Sequence, residues 1–397
     1  MTAGAATRHV VLVGGGHSHV GVLRSWGLRP LANVRLTLVC TDTLAPYSGM
    51  LPGYVAGHYS HGDVHIDLQR LATFAGAVLV QDEVIGIDRQ AQTVLCRKAG
   101  PLRYDFLSLN MGATPQVTRV PGALAHSVPV KPIVRFNQRW LALLERVRRY
   151  PGRTTIAVVG AGAGGVELLL AMQYRLHQEL RIIGHKPDEL RFHLVTQSSE
   201  ILPTHNAGVQ RRFRAVLAER GVQVHVNTDV CEVQAGRLRA ASGIVINADE
   251  IIWVTQAGGA PWLAATGLAL DDGGFVQVND HLQSVTDPRI FAVGDVAAMV
   301  SHRLEKAGVF AVRQARPLTD NLRASVLGHP LVTYRPQRKW LALISTGNRY
   351  AVASRGSLGF AGHWVWRWKD WIDRRFMRRF SALPRMPQVS VSPIDQG

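Results

Sequence analysis

The chain of 397 residues is long enough for two or three domains with buried cores. Its hydrophobic fraction of 47% is ordinary for a globular protein, whereas its formal net charge of +17 is not. Arginine supplies most of that charge, since lysine occurs at only six positions. There is no apolar stretch long enough to span a bilayer, no secretory signal, and no basic run with the aromatics of a nucleic-acid-binding module. We therefore expect a cytoplasmic protein without a nucleic-acid partner, whose basic surface attracts phosphate, dinucleotides or anionic lipid.

The first predicted element is a short apolar strand at residues 9–13 that runs into a glycine-rich turn. Glycines let the backbone approach a pyrophosphate, and the helix that follows directs its free N–H groups at the phosphates. Gly14 and Gly16 fill the first two glycine positions of a dinucleotide-binding turn, but His19 stands in the third. An ordinary glycine turn of an α/β domain stays open as the alternative. We predict that a cofactor binds here through Gly14, Gly15, Gly16, His17 and Ser18.

The strand after this turn should end in an acidic residue that binds the adenosine ribose. Cys40 occupies the expected position, and Asp42 follows two residues later. We predict that Asp42 contacts the ribose in place of the missing acid.

A second turn follows the predicted strand 155–159 and matches the dinucleotide fingerprint completely. Its three glycine positions are held by Gly160, Gly162 and Gly165. Gln197 stands where the acid that favours NADH is expected, and no arginine follows it directly to bind the 2′-phosphate of NADPH. The turn therefore predicts binding of NAD(P)H with Gln197 near the ribose, and leaves the preference between the two nucleotides open.

A third motif, at residues 286–295, is a short apolar strand that ends in Gly294 and Asp295. Together with the two turns it resembles the pyridine nucleotide-disulfide oxidoreductase superfamily over residues 8–325. The resemblance implies an α/β fold with two nested Rossmann-like domains, FAD as cofactor and NAD(P)H as co-substrate. It also implies that Gly294 and Asp295 lie beside the flavin ribityl chain, and that Gly112 ends the strand returning from the FAD domain and belongs to the cofactor site.

The domain boundaries that the resemblance implies follow from this nesting. The FAD-binding domain covers residues 1–125 and 265–330, and the inserted NAD(P)-binding domain covers residues 126–264. The C-terminal segment 331–397 is too short for the dimerisation domain of disulfide reductases. The oligomeric state therefore stays open.

Finer features narrow the resemblance to one branch. The segments 14–20, 46–53 and 306–314 resemble a subgroup that is free-standing or fused to selenide, water dikinase and is related to type II NADH dehydrogenases and sulfide:quinone reductases. The resemblance implies catalytic roles for Glu167, near the nicotinamide, and for Lys306, which would stabilise negative charge on the reduced flavin. A favourable acid in a first helical turn and a surface lysine are the alternative interpretations of these two residues.

The three cysteines, Cys40, Cys96 and Cys231, form no Cys-x-x-Cys pair, and none follows Cys231. A flavin-coupled dithiol is therefore not predicted, which argues against disulfide reduction and against sulfide:quinone chemistry. We expect three reduced, partly buried thiols, and we predict no metal site.

Aromatic and basic residues dominate the segment 364–380 at helical spacing. One predicted face of this helix carries Trp364, Trp368, Ile372, Phe376 and Phe380. The pattern is typical of a helix that lies in an anionic membrane interface, and it also fits a helix packed on the FAD domain or at a dimer interface.

Three functions are compatible with these motifs. The first, which we expect, is an FAD-dependent NAD(P)H oxidoreductase on the membrane surface that passes electrons to a quinone, as type II NADH dehydrogenases do. The second is a flavin reductase acting on selenium or sulfur compounds. The third is a non-enzymatic flavin-binding redox sensor, since both ribose acids are displaced.

Overall fold

The computed structural model describes residues 7–115, 117–255 and 257–384. It confirms the predicted α/β class, because helices cover two parallel sheets of five strands each. Strands of a parallel sheet are buried on both faces, which is why they appear in the sequence as continuous apolar runs rather than as alternating patterns.

The first sheet combines strands from both ends of the chain. Its spatial order is Ile290–Ala292, Phe106–Leu109, Arg8–Val13, Val34–Cys40 and Val78–Gln81, with every pair parallel. The outermost strand comes from far along the chain but runs parallel to the others. The closing motif at its end therefore lies at the same carboxyl edge of the sheet as the first glycine turn.

The second sheet is formed entirely between those segments. Its order is Val128–Pro129, Glu250–Trp253, Thr154–Val159, Leu190–Val195 and Gln223–His225, again all parallel. Three helices belong to this part of the chain: Ile133–Arg149, Ala163–Ile182 and Ala207–Glu219.

Smaller elements complete both halves. The remaining α-helices before residue 330 are His17–Leu28, Leu51–Val55, His61–Val64, Leu68–Ala75, Ala123–His126 and Gly308–Leu327. The short 3-10 helices are Ser48–Met50, Val117–Arg119, Pro187–Glu189, Pro261–Thr266 and Gly294–Val296. Two antiparallel three-stranded sheets are Val84–Asp88, Thr93–Cys96 and Gly100–Arg103, and Val230–Gln234, Arg237–Ala240 and Val245–Asn247. Strand pairs are Leu44–Pro46 with His65–Asp67, Thr114–Pro115 with Ala257–Gly258, and Val276–Val278 with Ala297–Met299.

The C-terminal segment is an antiparallel sheet followed by a helix. The strands are Ala342–Ser345, Ala351–Arg355 and Leu358–Gly362, and the helix is His363–Ser381. Ile344 and Val352 join the apolar core around the second sheet, whereas Met377 and Phe380 join the core around the first. The segment therefore packs against both halves of the molecule.

The helix at 364–380 is confirmed. Along its predicted aromatic stripe, Trp364 is 52% exposed at one end and Phe380 is buried at the other. The buried face also contains Val365, Asp373 and Met377, and Lys369 is paired with Asp373 at 2.7 Å. In the part of the chain that the structure describes, no helix is long and apolar enough to cross a membrane.

Candidate active site

The first glycine turn is held against the neighbouring strand by one buried side chain, Asn110. A Cβ atom at Gly16 would lie 2.4 Å from Asn110 Oδ1, and one at Gly14, whose φ is +93°, would lie 2.6 Å from the Asn110 carbonyl oxygen. Only glycine fits at these two positions. The N–H groups of Ser18 and His19 donate to Asn110 Oδ1 at 3.0 and 3.2 Å.

The turn leaves backbone donors for an anion. Gly14 and Gly16 donate their N–H groups to carbonyl oxygens, whereas those of Gly15 and His17 have no partner among the described residues. The helix that begins at His17 has no side chain at its N-cap residue, Gly16, and no acid in its first turn. Free N–H groups and a positive helix terminus are what a pyrophosphate requires.

The two histidines of the turn differ in their surroundings. His19 is fully buried, and its ring bridges the Gly14 carbonyl oxygen at 2.7 Å and the Ser108 hydroxyl at 2.8 Å. It therefore replaces the third glycine of the fingerprint by fastening the helix to the sheet. His17 instead has a buried Nε2 with no partner in the described structure, beside Asp295 and Tyr47. Burial lowers the pKa of both rings to about 4, so both are neutral at physiological pH.

The side chain of Ser18, a predicted cofactor-binding residue, is engaged within the protein. Its hydroxyl donates to the Ala311 carbonyl oxygen at 2.6 Å and is buried. The hydroxyl thus links the first helix to the helix Gly308–Leu327, and only the backbone of Ser18 belongs to the turn.

The closing motif meets this turn through the same asparagine. Asn110 Nδ2 donates to the Val293 carbonyl oxygen at 2.9 Å, and Gly294 N–H donates to Gln314 Oε1 at 2.7 Å. Lys131 Nζ donates to Asp295 Oδ2 at 2.7 Å. This ion pair joins the closing motif to the segment that leads into the inserted domain.

Gly294, Asp295 and Lys306 line one small cleft that opens to solvent. Lys306 Nζ donates to the Ala297 carbonyl oxygen at 2.7 Å and lies 3.7 Å from the centroid of the Phe275 ring. Burial of this end of the side chain lowers the pKa of the lysine. The residue as a whole is exposed, but its ammonium group is held by these two neighbours.

Two other predicted cofactor residues lie at the margin of this region. Gly112 has φ of +77° and open space around the position of a Cβ atom. Asp42 is exposed at the carboxyl end of the strand Val34–Cys40, and its carboxylate accepts a hydrogen bond from the Thr41 hydroxyl at 2.9 Å. Nothing in the described structure blocks Asp42 from a ribose at this edge.

The second glycine turn is built as its sequence predicts. Gly160 has φ of +115°, and a Cβ atom at Gly165 would lie 1.8 Å from the Gly160 carbonyl oxygen. Gly162 is the N-cap of the helix Ala163–Ile182 and has open space around it. Gln197 is exposed at the carboxyl end of the neighbouring strand. The second glycine turn and Gln197 thus lie together at the carboxyl edge of the second sheet.

Glu167 lies in a buried ionic cluster that the sequence did not predict. Its carboxylate accepts the Ser345 N–H at 2.6 Å, and burial raises its pKa. Lys369 lies beside it, bonded to Asp373 and to the Gly49 carbonyl oxygen, at 2.7 and 2.6 Å. Burial opposes the charge on Lys369, but the carboxylates of Asp373 and Glu167 outweigh it and raise the pKa of the lysine.

The cluster borders the first glycine turn through Tyr47. The Tyr47 hydroxyl donates to Asp373 at 3.1 Å, and its ring lies 5.4 Å from the ring of His17 and 4.6 Å from that of Phe376. Glu167 is thus connected to the first glycine turn through Lys369, Asp373 and Tyr47.

The rarity of lysine is a signal in the sequence for the contacts of Lys131 and Lys369. Of the six lysines in the chain, Lys131, Lys306 and Lys369 all lie in this region, and each ammonium group donates to an oxygen atom of the protein. Asn110 had a weaker signal, as a polar residue at the end of an apolar strand.

The cysteines lie apart from these groups. Cys40 and Cys96 are buried and Cys231 is half-buried, all as free thiols. Burial raises the pKa of Cys40 to about 11. All three are at least partly buried, as predicted.

Comparison with known proteins assigns the chain to a family. The model of the pyridine nucleotide-disulphide oxidoreductase family matches residues 8–315. The chain belongs to this family. Membership identifies it as an NAD(P)H oxidoreductase with a flavin cofactor and a nicotinamide co-substrate.

Individual relatives are distant. The chain is 30% identical to the type II NADH:quinone oxidoreductase of Haemophilus influenzae over 51% of its own length and 47% of that protein, so it spans about half of this relative. It is 24% identical to an NADH dehydrogenase-like protein of Bacillus subtilis over 89% of its length and 94% of that protein. Among solved structures, the sulfide:quinone oxidoreductase of Aquifex aeolicus has a similar fold, with a TM-score of 0.78, 19% identity, and coverage of 96% of this chain and 93% of that one.

Proposed function

We propose that the protein is an FAD-dependent NAD(P)H:quinone oxidoreductase of the type II NADH dehydrogenase kind. The observation that carries the proposal is the meeting of the first glycine turn and the closing motif at Asn110, with a second complete glycine turn on the inserted sheet. One sheet edge thus suits a flavin dinucleotide and the other a nicotinamide dinucleotide.

The residues at the first turn fit FAD. The free N–H groups of Gly15 and His17 suit its pyrophosphate, and the unpartnered Nε2 of His17 offers a further contact in a buried position. Asp295, held by Lys131, is suited to the ribityl hydroxyls. Bound FAD supplies the centre that accepts a hydride from NAD(P)H and passes the electrons to a second substrate.

The protein side chains position and tune this chemistry. Lys306 has a lowered pKa but keeps Asp271 and Asp295 as favourable neighbours, and as a cation it would stabilise negative charge on the flavin ring. Glu167 lies in the helix Ala163–Ile182 that follows the second turn, one position beyond its first turn, so we assign it to the nicotinamide side, where its raised pKa would let it hold a proton. The predicted boundaries 1–125, 126–264, 265–330 and 331–397 remain our proposal for the domains.

A quinone is the acceptor that the available residues favour. The described thiols form no pair that could receive electrons, which counts against disulfide chemistry. Two relatives, from Haemophilus influenzae and Bacillus subtilis, carry names of NADH:quinone and NADH dehydrogenase proteins. The test is quinone-dependent oxidation of NADH and NADPH by the purified yellow protein, with sulfide and selenide as competing substrates. Turnover with sulfide or selenide but not with quinone would contradict the proposal.

We further propose that the C-terminal helix contacts anionic membranes. Trp364 and Trp371 are about half exposed, at 52% and 50%, and the Arg375 guanidinium lies 5.2 Å from the Trp371 ring. Exposed tryptophan beside arginine suits the headgroup region of a bilayer. Deleting the helix would also remove buried core residues, so the sharper test replaces both tryptophans by serine. We expect weaker sedimentation with anionic vesicles and unchanged flavin content, whereas unchanged sedimentation would contradict this assignment.

A further inference from the structure

A second cavity lies beside the candidate flavin site and is not used by either glycine turn. It is open to solvent on one side, and the space between its walls, including that open side, is about 380 Å³. We call it the Tyr54 cavity and define it by Tyr47, Leu51, Tyr54, His65, Ile133 and Asn137. It separates the segment after the strand pair at Leu44–Pro46 from the first turn of the helix Ile133–Arg149.

Two contacts place the Tyr54 cavity next to the flavin site. Tyr47 forms one wall, and its ring meets the ring of His17 edge-on at 5.4 Å. Ile133 forms another wall, two residues after Lys131, which is paired with Asp295. A ligand in the cavity would therefore border the groups that we assign to the flavin.

The charge of the lining determines the class of ligand. None of the residues that line the cavity, all within the described part of the chain, is a lysine, an arginine or a carboxylate. In a protein with a net charge of +17, this lining is poorly suited to a phosphate or a carboxylate. Leu51, Val64 and Ile133 provide apolar walls, and Tyr47 and Tyr54 provide aromatic ones. The cavity suits a neutral planar ring.

Two polar groups are available to such a ring. The Tyr54 hydroxyl donates to Asn137 Oδ1 at 2.8 Å, so the amide nitrogen of Asn137 has no partner among the described residues and remains a donor. His65 Nδ1 donates to the His61 carbonyl oxygen at 2.8 Å, which fixes the neutral tautomer and leaves Nε2 as an acceptor. Burial lowers the pKa of His65, and the His61 ring stacks on it at 3.9 Å.

We propose that the Tyr54 cavity binds the head group of a para-quinone, with Asn137 donating to a carbonyl oxygen and His65 accepting from the hydroxyl of the product. This inference rests on the proposed function. A quinone gains two electrons and two protons on becoming a hydroquinone. The electrons come from the flavin reduced by NAD(P)H, and the protons come from water that reaches the open side of the cavity, at His61 and Val134.

The test uses variants of the holoprotein that either fill the Tyr54 cavity or remove its hydrogen-bond donor. Val134 lines the cavity and is 39% exposed, so Val134→Trp adds a ring without disturbing the core. Asn137→Leu removes the donor and keeps the branched shape of the side chain. The matched control is Val245→Trp, at a valine that is 52% exposed on the small sheet of the inserted half. Flavin content and thermal unfolding show whether each variant is folded. If Val134→Trp does not fold, Asn137→Leu alone provides the test.

The primary measurement is equilibrium dialysis of a tail-less ubiquinone, ubiquinone-0, against the oxidised holoprotein. We expect Val134→Trp to raise the Kd at least tenfold, Asn137→Leu to raise it about tenfold as for one lost hydrogen bond, and Val245→Trp to leave it unchanged. Wild-type Kd values in both cavity variants, or no binding to the wild type, would overturn the inference. Because dialysis needs no nicotinamide, it reports on the cavity even if NAD(P)H fails to reduce the flavin, which would instead refute the proposed function.

Discussion

Replacing Asn110 by alanine should separate the first glycine turn from the closing motif. Asn110 is 2% exposed, and its side chain accepts from the N–H groups of Ser18 and His19 and donates to the Val293 carbonyl oxygen. Alanine offers none of these contacts. Two N–H groups and one carbonyl oxygen would then lie in the interior without their partner.

The loss of stability follows from these three groups. A buried polar group left unsatisfied costs about 1–3 kcal/mol. Because the three groups share one cavity, their effects are not additive, and we expect the free energy of unfolding to fall by about 3–6 kcal/mol. FAD affinity should fall at least tenfold as well, since the amides that bind the pyrophosphate would lose their fixed position relative to Asp295.

Asn321 provides a matched control for the loss of stability alone. It is fully buried and also makes three side-chain hydrogen bonds, to the His281 and Val332 carbonyl oxygens and from the Val332 N–H. These bonds fasten a loop and do not touch the glycine turn. Asn321→Ala should therefore lower the free energy of unfolding similarly and keep the affinity for FAD.

The assay combines urea unfolding at a fixed excess of FAD with a separate titration of the apoprotein by FAD. A fixed ligand concentration is required because bound FAD itself stabilises the fold. The reasoning would be refuted if Asn110→Ala bound FAD as tightly as the wild type. It would also fail if Asn321→Ala lost as much affinity as Asn110→Ala.

Three further predictions concern other parts of the site. Gly165→Ala places a methyl group 1.8 Å from the Gly160 carbonyl oxygen, so reduction of the flavin by NAD(P)H should be lost while FAD stays bound. The control is Gly164→Ala, whose Cβ atom meets nothing closer than 4.0 Å. Equal rates of flavin reduction for the two variants in stopped flow would contradict this prediction. Lys306→Met should slow reduction or reoxidation of the flavin, and unchanged rates would remove the lysine from the mechanism. The pKa of His19 falls from 6.5 to about 4 on folding, so its contribution to stability is present above pH 6.5 and is lost as the pH falls toward 4. The difference in unfolding free energy between the wild type and His19→Gln should narrow over that range, and a constant difference would argue against this pKa.

The two sheets were predictable because their strands are buried on both faces. The runs 10–13 and 156–159 are apolar without interruption, and the glycines that follow them mark where each strand turns into a helix. The nesting was predictable only from the resemblance of the closing motif, because no local pattern says that the strand Ile290–Ala292 pairs with Phe106–Leu109.

Residues that act across long distances in the chain were not predictable. Asn110 bonds to groups 92 and 183 positions away, and local periodicity carries no information on such pairs. The charged residues on the buried face of the C-terminal helix were not predictable for a related reason. Lys369 is buried between Asp373, four residues away, and Glu167, which is far away in the sequence.

The most direct test of the proposed function is anaerobic mixing of the purified yellow protein with NADH and then with NADPH. The visible flavin bands are followed before and after addition of ubiquinone-0. We predict rapid bleaching by at least one nucleotide and recovery of the bands when the quinone is added. Bands that persist with both nucleotides, or that bleach and do not recover with the quinone, would contradict an NAD(P)H:quinone oxidoreductase.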